Sequence, residues 1–127
     1  MNVLFVCVGN SGRSVMAERI FRQLAGGEHE ARSAGSEPRN APHPAVVAAL
    51  QEIGVDARDH VPRKLDAALL EWADVAVSTC SEEVCPVTPG VRRVSWVFRD
   101  PKGLALDEVR PIRDDIAAHV RDLLTEV

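Results

Sequence analysis

No tyrosine occurs anywhere in this chain, and its other carbon-ring residues are three phenylalanines and two tryptophans. A pocket walled by phenol rings is therefore excluded. Cysteine is scarce as well, with three in 127 residues, an odd number. A chain of this length buries a core without staples, so no disulfide framework is expected. In a reducing compartment such cysteines are more often catalytic, metal-binding or buried than bridging. No apolar run approaches the roughly 20 residues of a membrane-spanning helix. The opening run Val3 to Cys7 is too short for a secretory leader and has no basic flank, so the mature chain is read as starting at Met1, in the cytoplasm. Neither sign of charge accumulates: 15 Lys and Arg against 19 Asp and Glu leave a net charge of -4. With no basic stripe, nucleic acid is not a partner, and the scattered cations give no membrane-surface signal.

What is present is ordinary globular composition, 46% apolar and 27% charged, which fits one domain over residues 1–127 and a monomer. Val3-Leu4-Phe5-Val6-Cys7 is an unbroken apolar run, the pattern of a strand buried on both faces. Gly9 to Gly12 break it. From Ser14 onward Met16, Ile20 and Leu24, flanked by Ala17 and Phe21, mark a helix that ends at Gly26-Gly27. A second strand is expected over His29 to Ala34, closed by Gly35. After a loop with Pro38, Pro42 and Pro44, a helix carries Val46, Val47, Leu50 and Ile53 and stops at Gly54. Leu65 to Trp72 reads as a brief helix, and Asp74 to Thr79 as a third strand that delivers Cys80. Cys80 to Gly90 reads as loop, Val91 to Trp96 as a fourth strand, and Val97 to Arg110 as loop. Ile112, Ile116, Val120 and Leu123 form the stripe of a last helix. The order predicts an α/β fold, a single-domain four-stranded parallel sheet with helices on both faces. Ligands in such folds sit beyond the C-terminal strand ends. Cys7, Cys80 and the Asp100 loop all fall there.

The loop Cys7-Val8-Gly9-Asn10-Ser11-Gly12-Arg13-Ser14 places five residues between a cysteine and an Arg-Ser pair. Two glycines and an asparagine let the backbone of Val8, Gly9, Asn10, Ser11 and Gly12 take positive φ and curl its amides inward. A helix start adds partial positive charge. A tetrahedral oxyanion fits that cup, and Arg13 offers a planar fork for two of its oxygens. The same field favours the thiolate, the nucleophilic form of Cys7. Ser14 is placed to donate a hydrogen bond to the sulfur, and Asn10 to hold the loop from within. The plain reading, a buried strand-end thiol beside a solvated arginine, does not account for the strand–turn–helix context.

These residues resemble the active-site loop of the low-molecular-weight protein tyrosine phosphatases and of the arsenate reductases that share their fold. The similarity extends to Ser33-Ala34-Gly35, to the Cys80 to Pro89 segment and to Trp96 to Pro101. The phosphatases typically follow their acidic Asp-Pro with tyrosines that line a phosphotyrosine pocket. Here Asp100-Pro101 is followed by Lys102-Gly103-Leu104, leaving only Trp96 or Phe98 to contribute a ring. Cys80-Ser81-Glu82-Glu83-Val84-Cys85-Pro86 resembles the redox segment of thioredoxin-coupled arsenate reductases, with four residues between the cysteines where those relatives carry a slightly longer insert. Gly12 stands where a cysteine often sits.

The resemblance implies arsenate as substrate and a thioredoxin-like reductant as partner. Cys7 attacks arsenic, Arg13 and the loop amides hold the anion, and Asp100 protonates the departing oxygen. Cys80 then attacks Cys7, and Cys85 resolves the Cys7–Cys80 disulfide. Weak phosphatase activity is expected beside it. No cofactor is required, and Cys80 and Cys85 have no histidine at zinc-finger spacing. His29, His43, His60 and His119 read as surface residues. Asn10, Glu18 and Ser33 match positions that bind potassium in some relatives, and Lys64 is expected to supply the charge in place of the ion. Three alternatives stay open: a phosphatase, a reductase fed by a small thiol such as mycothiol or glutathione, and a non-catalytic oxyanion-binding module. Without the resemblance, Asp100 reads as a turn initiator, Cys80 as a buried sheet thiol and Cys85 as an idle surface thiol.

Overall fold

Along the first strand, β1 (Asn2–Cys7), side chains alternate between two cores, and neither face meets water. Val3 and Phe5 enter one core and Leu4 and Val6 the other, the period of two that a central strand imposes. The computed structural model describes residues 1–80 and 91–127. Its other elements are α1 (Arg13–Ala25), β2 (Glu30–Gly35), α2 (Pro44–Gln51), α3 (Ala67–Trp72), β3 (Val75–Ser78), β4 (Arg92–Ser95) and α4 (Leu106–Glu126).

The four strands form one all-parallel sheet, as the sequence predicts, and their order is β2-β1-β3-β4. The larger core gathers Met16, Ile20 and Phe21 of α1, Val46 and Leu50 of α2, and Val109, Ile112 and Ile116 of α4. The smaller sets Leu69 and Leu70 of α3 against Leu4, Val6 and Ala76. Phe5 meets Phe21 edge to face at 5.7 Å; truncating so buried a ring costs about 3–5 kcal/mol. Trp96 packs beside Phe5, and Phe98 is buried behind Trp96. Phe98 is thus committed to the interior, while Trp96 is partly buried against it.

One expected loop is shorter than the sequence indicates. The segment read as loop through Arg110 turns helical at Leu106, so Pro111 lies inside α4 rather than ahead of it. The proline removes one amide from the helix ladder, a local cost. Burial of Val109 and Ile112, with Asp107 and Glu108 at the positive end of the helix, outweighs it.

Because β1 connects to β2 on one side and pairs with β3 on the other, the sheet's topological switch point lies between β1 and β3. Cys7 ends β1, and Cys80 lies two residues beyond β3. Val6 pairs with Ser78, and the Thr79 amide donates to the Val6 carbonyl at 2.9 Å. The sheet therefore carries both sulfurs to one edge.

Candidate active site

Between Cys7 and Arg13 the backbone forms a ring whose carbonyls are tied outward. The amides of Ser36, Glu37, Arg39 and His43 donate to the carbonyls of Cys7, Val8, Gly9 and Ser11 at 3.2, 2.9, 3.0 and 2.9 Å. The Asn10 carbonyl meets the ring nitrogen Nε2 of His60 at 3.0 Å. Turning successive carbonyls outward leaves the amide dipoles facing inward, the arrangement that binds anions. The helix α1 begins at Arg13 and adds its positive end to the same point. Packing explains one glycine just outside the ring: a Cβ on Gly35 would lie 2.4 Å from the Val8 carbonyl oxygen.

Asn10 locks this ring. Of the loop residues expected to take positive φ, only Asn10 does, at 49°, a conformation asparagine tolerates better than most. Gly9 and Gly12 keep ordinary φ, and Gly12 instead leaves room for Pro101, whose Cγ would lie 2.7 Å from a Cβ there. The Asn10 side chain is fully buried and its orientation is set by chemistry. The Arg63 amide can only donate, and it meets Oδ1 at 3.0 Å. Nδ2 must then donate to the Ser14 hydroxyl oxygen at 2.9 Å. The same hydroxyl lies 2.8 Å from Cys7 Sγ and donates to that sulfur whenever it is a thiolate, which can only accept. The Asn10 amide adds a second donor to that sulfur at 3.2 Å.

Cys7, Val8, Gly9, Ser11, Gly12, Arg13, Arg39, His43, Cys80 and Asp100 line one cleft of about 370 Å³. Among the described residues, the His43 imidazole is the one ring that lines it. Arg13 is mostly buried; it donates to the Phe98 carbonyl at 3.2 Å and lies 3.8 Å from the Asp100 carboxylate. Asp100 is half exposed, and its Oδ1 accepts from the Lys102 amide at 3.0 Å. It thus initiates a turn and faces the cleft at once. Cys80 is buried in the cleft wall, with Ser78 Oγ at 3.8 Å from its sulfur. Cys85 falls outside the described residues.

Arg39, His43 and His60 belong to this neighbourhood although the sequence reading passed them over. Reading the histidines as surface residues fails at two positions. His43 Nε2 lies 3.2 Å from the Ser11 hydroxyl. Burial pushes its pKa down, opposed by Asp100 and reinforced by Arg39 and Lys102. His60 is buried; desolvation lowers its pKa against the opposing hydrogen bond to the Asn10 carbonyl. No local pattern marks these residues, because their partners lie 32 and 50 positions away.

Glu18 and Ser33 do meet, with the Ser33 hydroxyl donating to Glu18 Oε1 at 2.8 Å. The positive charge beside Glu18 comes from Arg19, whose Nε lies 3.0 Å from Oε2, and from Arg22 at 3.5 Å. Arg19 and Glu18 make a close ionic contact rather than an aligned hydrogen bond. Lys64 is exposed. The Glu18 carboxylate is thus held by the Ser33 hydroxyl and two guanidinium groups, and Asn10 Oδ1 accepts from the Arg63 amide, so the charge expected from an ion or from Lys64 is supplied here by Arg19 and Arg22.

A cysteine sulfur at the centre of a ring of inward-facing amides, on the switch point of a parallel sheet, is the arrangement of an enzyme that acts on tetrahedral oxyanions. Residues 2–127 match the low molecular weight phosphotyrosine protein phosphatase family, and the chain belongs to it. It is 38% identical to an arsenate reductase from Brevibacillus brevis over 122 residues, 94% of this chain and 90% of that protein. A Corynebacterium glutamicum thioredoxin-dependent arsenate reductase superposes with a TM-score of 0.86 at 32% identity, over 98% of this chain. This chain spans only 60% of that longer one. A low molecular weight protein tyrosine phosphatase from T. tengcongensis superposes at 0.88 with 26% identity, over 100% of this chain and 99% of its own.

Proposed function

We propose that this protein reduces arsenate to arsenite by covalent catalysis at Cys7 and draws its electrons from a thioredoxin-type donor through Cys80 and Cys85. The observation that carries the reading is the second sulfur: Cys80 lines the same cleft as Cys7. Hydrolysis of a phosphoester needs one cysteine; reduction needs a thiol to take over the first. Tyrosine is absent, and neither Phe98, which is buried, nor Trp96, which is partly buried, is among the described residues that line the cleft, so no aromatic grip for a phosphotyrosine ring is found there.

In the proposed sequence, the Cys7 thiolate attacks arsenic, held by the loop amides and Arg13, and Asp100 gives a proton to the departing oxygen, which leaves as water. Cys80, as a thiolate, attacks the Cys7 sulfur. The sulfur–arsenic electron pair passes to arsenic, arsenite leaves, and a Cys7–Cys80 disulfide remains. Cys85 attacks Cys80 and frees Cys7, and the donor reduces Cys80–Cys85. With phosphate esters the first step ends in a thiophosphate that water must hydrolyse, so slow phosphatase activity is expected.

A coupled assay with arsenate, thioredoxin, its reductase and NADPH tests the reading. Wild type should turn over, Cys7→Ser should be inert, and Cys80→Ser should stop with arsenic on Cys7. Cys85→Ser should release one arsenite per chain and stop as the Cys7–Cys80 disulfide. Sustained turnover of Cys85→Ser with a small thiol would transfer the electron supply to that thiol instead. Efficient turnover of a phosphotyrosine peptide with no arsenite formed would overturn the proposal.

A further inference from the structure

By volume the cleft, about 370 Å³, lies in the range of sites that take organic ligands. A phosphomonoester is therefore not excluded by space. Charge and position make the distinction instead. Arg39 stands over the ring: its Nε lies 3.0 Å from where a Cβ on Gly9 would sit, and its Cγ 3.1 Å. Its own amide holds the Gly9 carbonyl at 3.0 Å, so the side chain starts from a fixed point. The guanidinium is exposed and lines the cleft with Arg13. His43, kept largely neutral near pH 7 by its burial, adds little charge. Among the described residues, two guanidinium groups and one carboxylate, that of Asp100, thus line the cleft.

The two arginines come from different heights. Arg13 opens α1 at the level of the ring, whereas Arg39 arrives from the β2–α2 loop above Gly9. A tetrahedral anion seated in the ring presents three oxygens to the amides and Arg13 and turns its fourth toward the mouth. In an inorganic oxyanion that fourth oxygen is charged or hydroxylic. In a monoester it carries the organic group, and in a phosphonate carbon replaces it. We propose that Arg39 is a specificity-determining residue that binds this outward oxygen and so favours unsubstituted tetrahedral oxyanions over their organic derivatives. The inference rests on the arsenate reading for its biological use, but its test does not depend on turnover.

The test measures protection of Cys7 from iodoacetamide in wild type, Arg39→Ala and Arg39→Lys, with arsenate, inorganic phosphate and phenylphosphonate as competitors. A charge-assisted contact at an exposed position corresponds to roughly a tenfold change in affinity. Arg39→Ala should raise the half-protecting concentration of arsenate and phosphate about tenfold while leaving that of phenylphosphonate within about twofold, and Arg39→Lys should recover part of the loss. An equal loss for all three anions would reduce Arg39 to general attraction and overturn the proposal, as would no loss for any. If wild type forms no arsenite yet shows this selectivity, the arsenate reading falls and the assignment of Arg39 stands. If arsenite forms and the selectivity is absent, the reverse holds.

Discussion

The hydroxyl of Ser14 lies 2.8 Å from the sulfur of Cys7, and its oxygen accepts from Asn10 Nδ2 at 2.9 Å. Toward the Cys7 thiolate of the proposed mechanism the hydroxyl can only donate, and replacing Ser14 by Ala removes that charge-assisted hydrogen bond, about a tenfold effect. The rate of Cys7 alkylation by iodoacetamide at pH 7 should fall by that order, with the urea midpoint little changed. An unaltered alkylation rate would show that the hydroxyl does not tune the sulfur.

Asn10→Ala should cost more than activity. It orphans the Arg63 amide and the Ser14 oxygen and places a less tolerant residue at a φ of 49°. The sum is about 3 kcal/mol of stability. Asn10→Gly restores the backbone freedom alone, so its urea midpoint should fall between those of wild type and the alanine variant.

Gly35→Ala should destabilise by about 2–3 kcal/mol through overpacking, because the added methyl would meet the Val8 carbonyl oxygen at 2.4 Å and the Asn10 amide nitrogen at 2.9 Å. Both obstacles are backbone, so relief requires moving the ring. Reduced anion protection of Cys7 should accompany the fall in urea midpoint. A methyl accepted with both properties intact would mean that the ring is softer than its hydrogen bonds imply.

His60 supplies a pH dependence. Its pKa is lowered below 6.5 in the folded chain, first by burial. The unfolded chain then binds the proton more readily, so the stability due to neutral His60 is complete above about 6.5 and declines as pH falls below it. His60→Gln should flatten the slope of stability between pH 7.5 and 5, measured by urea unfolding. A slope unchanged by the substitution would assign the titration to another group.

A second window lies lower. Hydrogen bonding from Arg110 holds Glu52 at about 2 rather than 4.5, with Arg113 assisting. Glu52 thereby ties the end of α2 to α4. This contribution is present above about 4.5 and is lost as pH falls through about 2. Between pH 5 and 2.5, wild type should lose stability more steeply than Glu52→Gln.

The parts legible in the sequence are those written in short-range pattern. Val3 to Cys7 is apolar without interruption, and Gly9 to Gly12 stops it, so both the strand and the ring could be read directly. Leu106 could not, because Asp100-Pro101, Gly103 and Pro111 all signal loop, while the burial of Val109 decides for helix only once the sheet is in place. Arg39, His43 and His60 were opaque for a different reason. They sit in polar, proline-rich stretches that look solvated, and their meeting with the ring depends on how β2 and its following loop pass beside β1. The expected cation beside Glu18 is a potassium ion or Lys64, whereas Arg19, its immediate neighbour in the chain, reaches the carboxylate at 3.0 Å.

The outer belt that fastens the ring is made of main-chain donors at positions 36, 37, 39 and 43, and two prolines, Pro38 and Pro42, fall in the gaps between them. Side-chain identity at the donor positions is thus decoupled from the fastening, which only proline would undo. Protein engineers could randomise this stretch to seek new selectivities, leaving the reactive sulfur and its scaffold as they found them.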